Sequence, residues 1–261
     1  MQILAAGGIV RTVSDTRAAS LEALVVETRD RLDRMLDYGT TTAEAKTGYG
    51  LNIPDELKQL DALAALQRTH AIGLAPTFLG AHAVPAEYHG RTDAYVDVVV
   101  AEMLPAAWAR WTDLRADFGA DWPFFCDVFC EKGAFDLAQT RRIQEATRTL
   151  GFRLKLHVDE FASLGGTPLA VAFGAVSVDH IVTTPTKYIA LLAASGTVGV
   201  ALPGTPFGLA QRDYTPGRAL IDHGVCWRCA TNLKPGTSWC ESMQLMQSAS
   251  VSSASTTCLF V

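Results

Sequence analysis

Two hydrophobic periods alternate along the chain. Segments with an apolar residue every three to four positions predict helices, and the short, nearly all-apolar runs between them predict strands. The first helical segment spans 16–37, with Ser20 as an early N-cap, and the first strand spans 40–46. Further helices are predicted at 54–70, 91–118 with a break at Pro105, 136–150, 165–173, 185–194 and 217–223, and further strands at 72–79, 122–131, 152–160, 176–181, 197–204 and 225–232. This alternation indicates an α/β protein.

The seven predicted strands are typical of a parallel sheet, because their residues suit burial on both faces. Repeated β-α units of this size form either a (β/α)8 barrel or an open doubly wound sheet. In a barrel the C-terminal strand ends ring one mouth, whereas an open sheet gathers polar groups near one switch point. Polar side chains follow many different strand ends here: Tyr49, His82, Glu131, His157, Glu160, His180 and Asn232. This favours a barrel over 1–246 that is one strand short, followed by a disordered, non-helical tail over 247–261.

Composition narrows the functional classes. The 261 residues are enough for one large domain, and 49% hydrophobic against 19% charged residues excludes disorder as the default. Acidic residues outnumber basic ones, 27 to 22, which argues against a nucleic-acid partner or an anionic membrane surface. No apolar run reaches the roughly 18 residues of a spanning helix, and the N-terminal residues do not resemble a secretory signal. Six sparse cysteines favour a reducing cytoplasm.

The strongest candidates for chemistry are two histidines at successive strand ends. His157 is followed three residues later by Glu160, and this pairing suits a metal ligand beside an acid or base. Taken alone, His157 is better explained as an ordinary histidine capping a strand, and His180 as a core histidine bonded to the backbone. Packing alone does not easily explain why two successive strands each end in a histidine at the same end of the sheet. Taken together, the two histidines therefore favour a functional site.

Other polar motifs leave the alternatives open. Tyr49 and His82 lie in glycine-containing loops, where a site residue and an ordinary turn residue are about equally expected. Glu131 either closes the same mouth or, as slightly favoured, caps the next helix. Cys226 and Cys229 have C-x-x-C spacing, but no second pair completes a zinc site and the motif lies in a strand, so we expect it to be structural.

Several long strings resemble one family. The chain contains ILAAGGIVRTVSDTRAAS, GTTTAEAKTGYGLN, PTFLGAHAVPAEY, MLPA, DVFCEKGAF, KLHVDEF, VDHI and LKPGTSWCESMQLMQ, in that order. Together they resemble the imidazolonepropionases, enzymes of histidine degradation in the amidohydrolase superfamily, over about residues 3–247. The resemblance implies a metal-dependent (β/α)8 TIM-type barrel. It also implies hydrolysis of the ring amide of 4-imidazolone-5-propanoate to N-formimidoyl-L-glutamate, with one zinc or iron ion per subunit.

The resemblance also implies a role for each candidate residue. His157 corresponds to a metal ligand, and Glu160 to the carboxylate that contacts the substrate and the attacking water. His180 corresponds to the histidine that activates this water or stabilises the oxyanion. Tyr49 and His82 match substrate-binding positions.

The chain also departs from the family pattern. The family's His-x-His strand would lie before Met1, and its small β-sandwich domain is not found, so we expect a fragment truncated at both ends. The family motif A-T-D-x-N-P-G is replaced by a stretch with Asn232 and Lys234. Asn232 stands where the family has an Asp. Its side-chain carbonyl oxygen can bind a metal ion, but the amide cannot accept a proton as a carboxylate does. We therefore expect little or no activity.

Two other functions remain open at this stage. A barrel remnant without activity could bind a small ligand or a partner subunit, because unpaired strand edges invite a partner. A different amidohydrolase could act on a related cyclic amide. For the leading function we expect a small-molecule substrate, no nucleic acid, no membrane, and a homodimer as the assembly to test.

Overall fold

A computed structural model describes residues 9–119, 121–234 and 236–254. Within these residues the chain forms two compact units. The first unit is built from residues up to 128 together with 142–153, and the second from 129–141 together with the residues from 154 onward.

The first unit alternates helices with strands. Its helices are α1 (Ile9–Ala18), α2 (Leu21–Asp37), α3 (Ile53–Thr69), α4 (Thr92–Val98) and α5 (Leu104–Leu114), with 3-10 turns at Ala86–Tyr88 and Arg115–Asp117. Its strands are β1 (Thr42–Lys46) and β2 (Gly73–Ala81), while β3 (Phe125–Cys130) and α6 (Leu137–Leu150) contain residues of both units. Leu32 of α2 and Leu63 and Leu66 of α3 pack in one apolar cluster with Ile72 and Leu74. Burial of this apolar surface holds the helices on the first strands.

One helical prediction in this unit needs correction, and the predicted break near Pro105 is confirmed. The segment 16–37 is two helices, because Ser20 is extended and its hydroxyl accepts a hydrogen bond from the N–H of Ala23 at 3.1 Å. Ser20 is thus the N-cap that the sequence predicted, with α1 ending before it. The segment 91–118 is broken by a π-helical turn at Val99–Met103, directly before Pro105. Proline lacks the N–H that an α-helix needs, and the turn accommodates this loss.

The second unit continues the same alternation. Its strands are β4 (Arg153–Val158), β5 (Ser177–His180), β6 (Val198–Ala201) and β7 (Trp227–Cys229), and its helices are α7 (Gly166–Phe173), α8 (Thr186–Ala193), α9 (Gly204–Gly208), α10 (Gly217–Asp222) and α11 (Met243–Ala254). Leu156, Val178 and Ala201, from β4, β5 and β6, meet Leu192 and Leu220 from the helices in one core cluster. β4 and β5 are buried on both faces, as the apolar pattern predicted, whereas β6 alternates between buried and partly buried positions.

The seven strands follow chain order in the sheet, and neighbours run parallel in every described pairing. The predicted parallel α/β architecture with seven strands is thus confirmed. Parallel order places the C-terminal ends of neighbouring strands at one edge of the sheet, where functional groups of such folds gather.

The C-terminal region differs from its prediction. Residues 247–254, expected to be non-helical, belong to α11. Met246 and Ser250 of this helix are buried. The Sγ atom of Cys229 in β7 lies 3.0 Å from the Oγ atom of Ser250. Tertiary contacts thus support a helix that the serine-rich pattern does not predict. The remainder of the predicted tail, 255–261, lies outside the described residues. No helix in the described residues has the length and apolar character that crossing a bilayer requires.

Candidate active site

The candidate residues of the second unit begin at the paired ends of β4 and β5. The register places His157 opposite Asp179, and register partners in a parallel pair project from the same face. The Nδ1 atom of His157 lies 4.0 Å from Oδ2 of Asp179, and both side chains are buried. Asp179 therefore lies where it can orient the His157 ring, a role that the sequence analysis did not assign to it.

A left-handed turn brings His180 to the same place. Strict alternation along β5 would direct His180 to the face opposite Asp179. The backbone instead has φ of +75° at His180 and +45° at Ile181, a region that side-chain-bearing residues rarely adopt. The His180 ring centroid consequently lies 5.2 Å from that of His157. Such strain persists where the surrounding structure enforces it, and it clusters at functional sites.

Asp159 forms the corresponding turn after β4. Its φ is +54°, and its buried carboxylate accepts hydrogen bonds from the hydroxyls of Thr167 at 2.6 Å and Thr184 at 2.7 Å. Its carbonyl oxygen accepts a further bond from the N–H of Thr183 at 2.8 Å. Asp159 thereby ties the β4 exit to α7 and to the segment after β5. Because Glu160 follows directly, this hub helps to determine where the Glu160 carboxylate lies.

Glu160 and His180 form a buried acid-base pair. Oε2 of Glu160 lies 3.4 Å from Nε2 of His180, and the side chains are about 2% and 1% exposed. Oε1 of Glu160 is buried and has no hydrogen-bond partner among the described residues. Burial raises the pKa of Glu160, while the positive charges of Lys234 and His157 oppose that rise. A carboxyl group with a raised pKa keeps its proton to a higher pH than a solvent-exposed one, which suits a group that exchanges protons during a reaction.

Glu131 supports the loop that carries Glu160. Its Oε2 accepts hydrogen bonds from the N–H groups of Phe161 at 2.9 Å and Ala162 at 3.2 Å, and its Oε1 accepts one from the N–H of Lys132 at 2.7 Å. Glu131 therefore anchors the segment after β4, and the favoured prediction that it caps the next helix was wrong.

In the first unit, the structure brings Tyr49 and His82 together. Their rings meet edge to face, with centroids 5.1 Å apart, and His82 is buried. Burial raises the pKa of the Tyr49 hydroxyl, so the phenol stays neutral and can donate a hydrogen bond.

The residues that depart from the family motif lie in the second unit. The Nδ2 atom of Asn232 donates to the Thr205 hydroxyl at 2.7 Å, and its backbone is left-handed with φ of +48°. Because the NH₂ group makes this contact, the side-chain oxygen of Asn232 takes no part in it. Burial lowers the pKa of Lys234, and the negative charge of Glu160 opposes that fall. Cys226 lies before β7 and is exposed, while Cys229 is half-buried in β7.

The second unit places an imidazole and a carboxylate side by side, and both are groups that occur in transition-metal sites. Ligand atoms of His157 and Asp179 lie within 4.8 Å of each other, and both groups are withdrawn from water. Imidazole nitrogen and carboxylate oxygen are the donor types that zinc and non-haem iron take from proteins. A carboxylate that faces the second ring nitrogen of a histidine orients the ring and increases its basicity as a ligand.

No family model matches the chain. Individual relatives do: an imidazolonepropionase of Herpetosiphon aurantiacus is 56% identical over 243 residues, which are 92% of this chain and 56% of the relative. One of Chloroflexus aggregans is 50% identical over 238 residues, 90% of this chain and 55% of the relative. One of Alkaliphilus metalliredigens is 43% identical over 240 residues, 92% of this chain and 54% of the relative. The chain spans about half the length of these curated relatives.

Solved structures agree in fold. An adenosine deaminase of Xanthomonas campestris with bound zinc matches with a TM-score of 0.63 at 17% identity, over 93% of this chain and 53% of that one. An amidohydrolase from a Sargasso Sea environmental sample matches with a TM-score of 0.56 at 16% identity, over 82% and 50%. These matches confirm the (β/α)8 type of barrel as the fold class, represented here by seven strands. Over more than nine-tenths of its length the chain is thus homologous to proteins named imidazolonepropionase, as its motifs predicted.

Proposed function

We propose that this protein hydrolyses the ring amide of 4-imidazolone-5-propanoate to N-formimidoyl-L-glutamate in histidine degradation. The names of its relatives, at 43 to 56% identity, supply the substrate. The observation that carries the proposal is the buried contact of Glu160 with His180 beside His157. It supports acid-base chemistry at one place, which hydrolysis of an unactivated amide requires.

The proposal includes one zinc or iron ion per subunit, and neighbours described as zinc complexes support it. Such an ion, when bound, supplies a Lewis acid and lowers the pKa of water to about 7. His157 would hold the ion, with Asp179 orienting its ring and the side-chain oxygen of Asn232 as a further ligand. The choice between zinc and iron belongs to the experiment.

The proton transfers fall to Glu160 and His180. Hydrolysis adds the oxygen of water to the ring carbonyl carbon, breaks the C–N bond, and delivers a proton to the leaving nitrogen. Glu160, with its raised pKa, would accept the proton of the water and return it to the nitrogen without the second proton carrier that the family's Asp provides at position 232. His180, 3.4 Å from Glu160, would stabilise the developing oxyanion by donating a hydrogen bond. Tyr49 and His82 would bind the substrate.

A turnover assay tests this proposal. The purified protein is incubated with zinc or iron(II) and imidazolone propanoate, and formation of N-formimidoyl-L-glutamate is followed. We expect slow turnover that is abolished by a chelator, because Asn232 cannot carry a proton. Turnover of other cyclic amides in preference to this one would contradict the substrate, and absence of product from both the protein and its Asn232→Asp variant would contradict the activity.

Asn232 and Lys234 favour a second candidate, a site that binds the ligand without turning it over. The positive charge of Lys234 acts on the Glu160 carboxylate. The same charge opposes the binding of a metal cation beside Glu160. Equilibrium dialysis distinguishes the two candidates: imidazolone propanoate retained unchanged, with no zinc bound, would support the second. A homodimer remains a prediction for size-exclusion chromatography. A cytoplasmic location remains one too, supported by the free thiols of Cys126, Cys130, Cys226, Cys229 and Cys240.

A further inference from the structure

The loop that carries Tyr49 is fastened through its backbone. The N–H of Thr47 donates to the carbonyl of Thr77 at 3.0 Å. The carbonyl of Gly50 accepts from Nε of Arg17 at 2.7 Å, and that of Leu51 from the Tyr95 hydroxyl at 3.3 Å. These bonds hold the loop of residues 47–51 at several points along its length.

Its two glycines are needed for close approach. Gly48 has φ of +104°, and a Cβ there would meet the carbonyl oxygen of Leu79 at 2.8 Å. A Cβ on Gly50 would meet the backbone of Asp55, in the first turn of α3, at 2.5 Å. The two glycines of the T-G-Y-G sequence therefore bring the loop backbone directly against β2 at Gly48 and against α3 at Gly50.

One side chain of α3 receives the N–H groups of this loop. Glu56 is 1% exposed, and its Oε1 accepts hydrogen bonds from the N–H of Gly50 and of Leu51, each at 2.8 Å. The N–H of Gly48 lies 3.0 Å from Oε2 and 3.1 Å from Oε1. A buried carboxylate thus satisfies three backbone donors, which flank Tyr49 on both sides.

Gly48 extends this network to His82. Its carbonyl oxygen lies 3.0 Å from Nδ1 of the buried His82 ring. A carbonyl oxygen only accepts hydrogen bonds, so Nδ1 must carry the proton, and Nε2 is the nitrogen without a proton when the ring is neutral. The position of Gly48 therefore selects the tautomer of His82, whose ring meets the edge of Tyr49 at a centroid distance of 5.1 Å.

We propose that Glu56 is a positioning residue that acts through the backbone of Gly48 to fix the tautomer of His82 and the orientation of Tyr49. Its use in substrate binding rests on the proposed function, but the positioning itself does not. Glutamine at this position would offer one oxygen and an NH₂ group that faces backbone donors, so the loop would have to move. Its movement would release His82 to populate both tautomers.

The intact protein provides the first test. Histidine labelled with ¹⁵N distinguishes a protonated from an unprotonated ring nitrogen, and the chain has six histidines to resolve. We expect His82 to show protonated Nδ1 and unprotonated Nε2 near neutral pH. We also expect the amides of Gly48, Gly50 and Leu51 to exchange as slowly as the buried amides of α3. The opposite tautomer, or fast exchange of these three amides, would overturn the proposal.

A pair of variants supplies the second test. In Glu56→Gln the His82 nitrogen resonances should move toward positions averaged over both tautomers, and the Tyr49 ring signals should shift. Asp55→Asn removes a neighbouring charge from the same helix turn without touching the loop donors, and it should leave both sets unchanged. A folded Glu56→Gln protein with unaltered His82 and Tyr49 signals would refute the proposal. If this variant does not fold, the measurements on the intact protein decide. None of these measurements needs substrate. Their outcome therefore tests the positioning role of Glu56 independently of whether the protein turns over imidazolone propanoate.

Discussion

Two buried carboxylates, one in each compact unit, show opposite uses of the same side chain. Glu56 and Glu160 are both almost fully buried, and burial raises the pKa of each. Three backbone N–H groups saturate Glu56. Glu160 has one oxygen with no hydrogen-bond partner among the described residues and the other facing His180. A saturated carboxylate holds the backbone in place, whereas an unsaturated one retains the capacity to bind substrate or move a proton.

The largest expected effect is on catalysis by Glu160. In the Asn232→Asp background, where the family's proton carrier is restored, Glu160→Gln should lower kcat/KM by about 10² to 10⁴, the usual contribution of a general acid or base. Steady-state turnover of imidazolone propanoate measures it. Glu145→Gln, at an exposed glutamate of α6, is the matched control and should leave the rate unchanged. Equal rates for the Glu160 and Glu145 variants would remove Glu160 from the chemistry.

Asn232→Asp alone should raise turnover, by up to about a hundredfold, because a carboxylate can carry the proton that an amide cannot. The same assay compares it with the unaltered protein. The Lys132→Gln variant, at an exposed lysine after β3, changes the net charge by the same −1 and controls for a change in charge alone. A rate that does not rise would show that Asn232 does not limit this site.

Glu56→Gln should act on stability rather than on proton transfer. Leaving buried backbone donors without an acceptor should lower the free energy of unfolding by about 1–3 kcal/mol. Denaturant titration measures this quantity. For Asp55→Asn, which weakens a partly exposed pair with Lys58, we expect a loss below about 1 kcal/mol. Similar losses in the two variants would mean that the three loop contacts contribute little.

Asp159 offers a smaller test of the strained turn after β4. Asp159→Ala removes the acceptor of the Thr167 and Thr184 hydroxyls and should lower stability by about 1–2 kcal/mol. Asp159→Asn keeps an oxygen that can accept both hydroxyls, so its loss should be less. The two variants are compared by thermal unfolding monitored by circular dichroism. A larger loss of stability in the asparagine variant would contradict a stabilising role for the Asp159 side chain as acceptor of the two hydroxyls.

The smallest effect concerns pH. Burial raises the pKa of Cys126 to about 12, from 9.0 as the ordinary value of the thiol. Because the folded protein retains the thiol proton longer, its contribution to stability is full below pH 9.0 and declines as the pH rises toward 12. Replacing Cys126 with alanine should flatten this alkaline decline in denaturant titrations, and replacing the exposed Cys226 should not. An identical decline in both variants would contradict the assignment.

The sequence predicts the periodic parts of this molecule well. All seven strands appear where apolar runs predicted them, and Ser20 caps α2 as its residue type suggests. The positions of the side chains in the site are less predictable. They depend on left-handed backbone turns at Asp159 and His180, which the hydrophobic periodicity does not indicate. The motif V-D-H-I contains Asp179 beside His180, but only the β4–β5 register shows that Asp179 faces His157.

Contacts distant in sequence explain the remaining differences. The helix α11 depends on burial of Met246 and Ser250 against the region of β7, which local propensity does not encode. Glu131 binds N–H groups 30 residues along the chain rather than those of the next helix. From the sequence, Glu56 is an ordinary acidic residue in the first turn of a helix. Only the structure shows that the loop of residues 47–51 folds against it.

The distinction between the two carboxylates is tested most directly by measuring kcat/KM and the free energy of unfolding together for Glu160→Gln and Glu56→Gln, both made in the Asn232→Asp protein. We expect the Glu160 variant to lose at least about a hundredfold in rate while unfolding at nearly the original denaturant concentration. We expect the Glu56 variant to lose about 1–3 kcal/mol of stability. A Glu160 variant that keeps its rate, or that unfolds as easily as the Glu56 variant, would contradict the distinction between the two carboxylates.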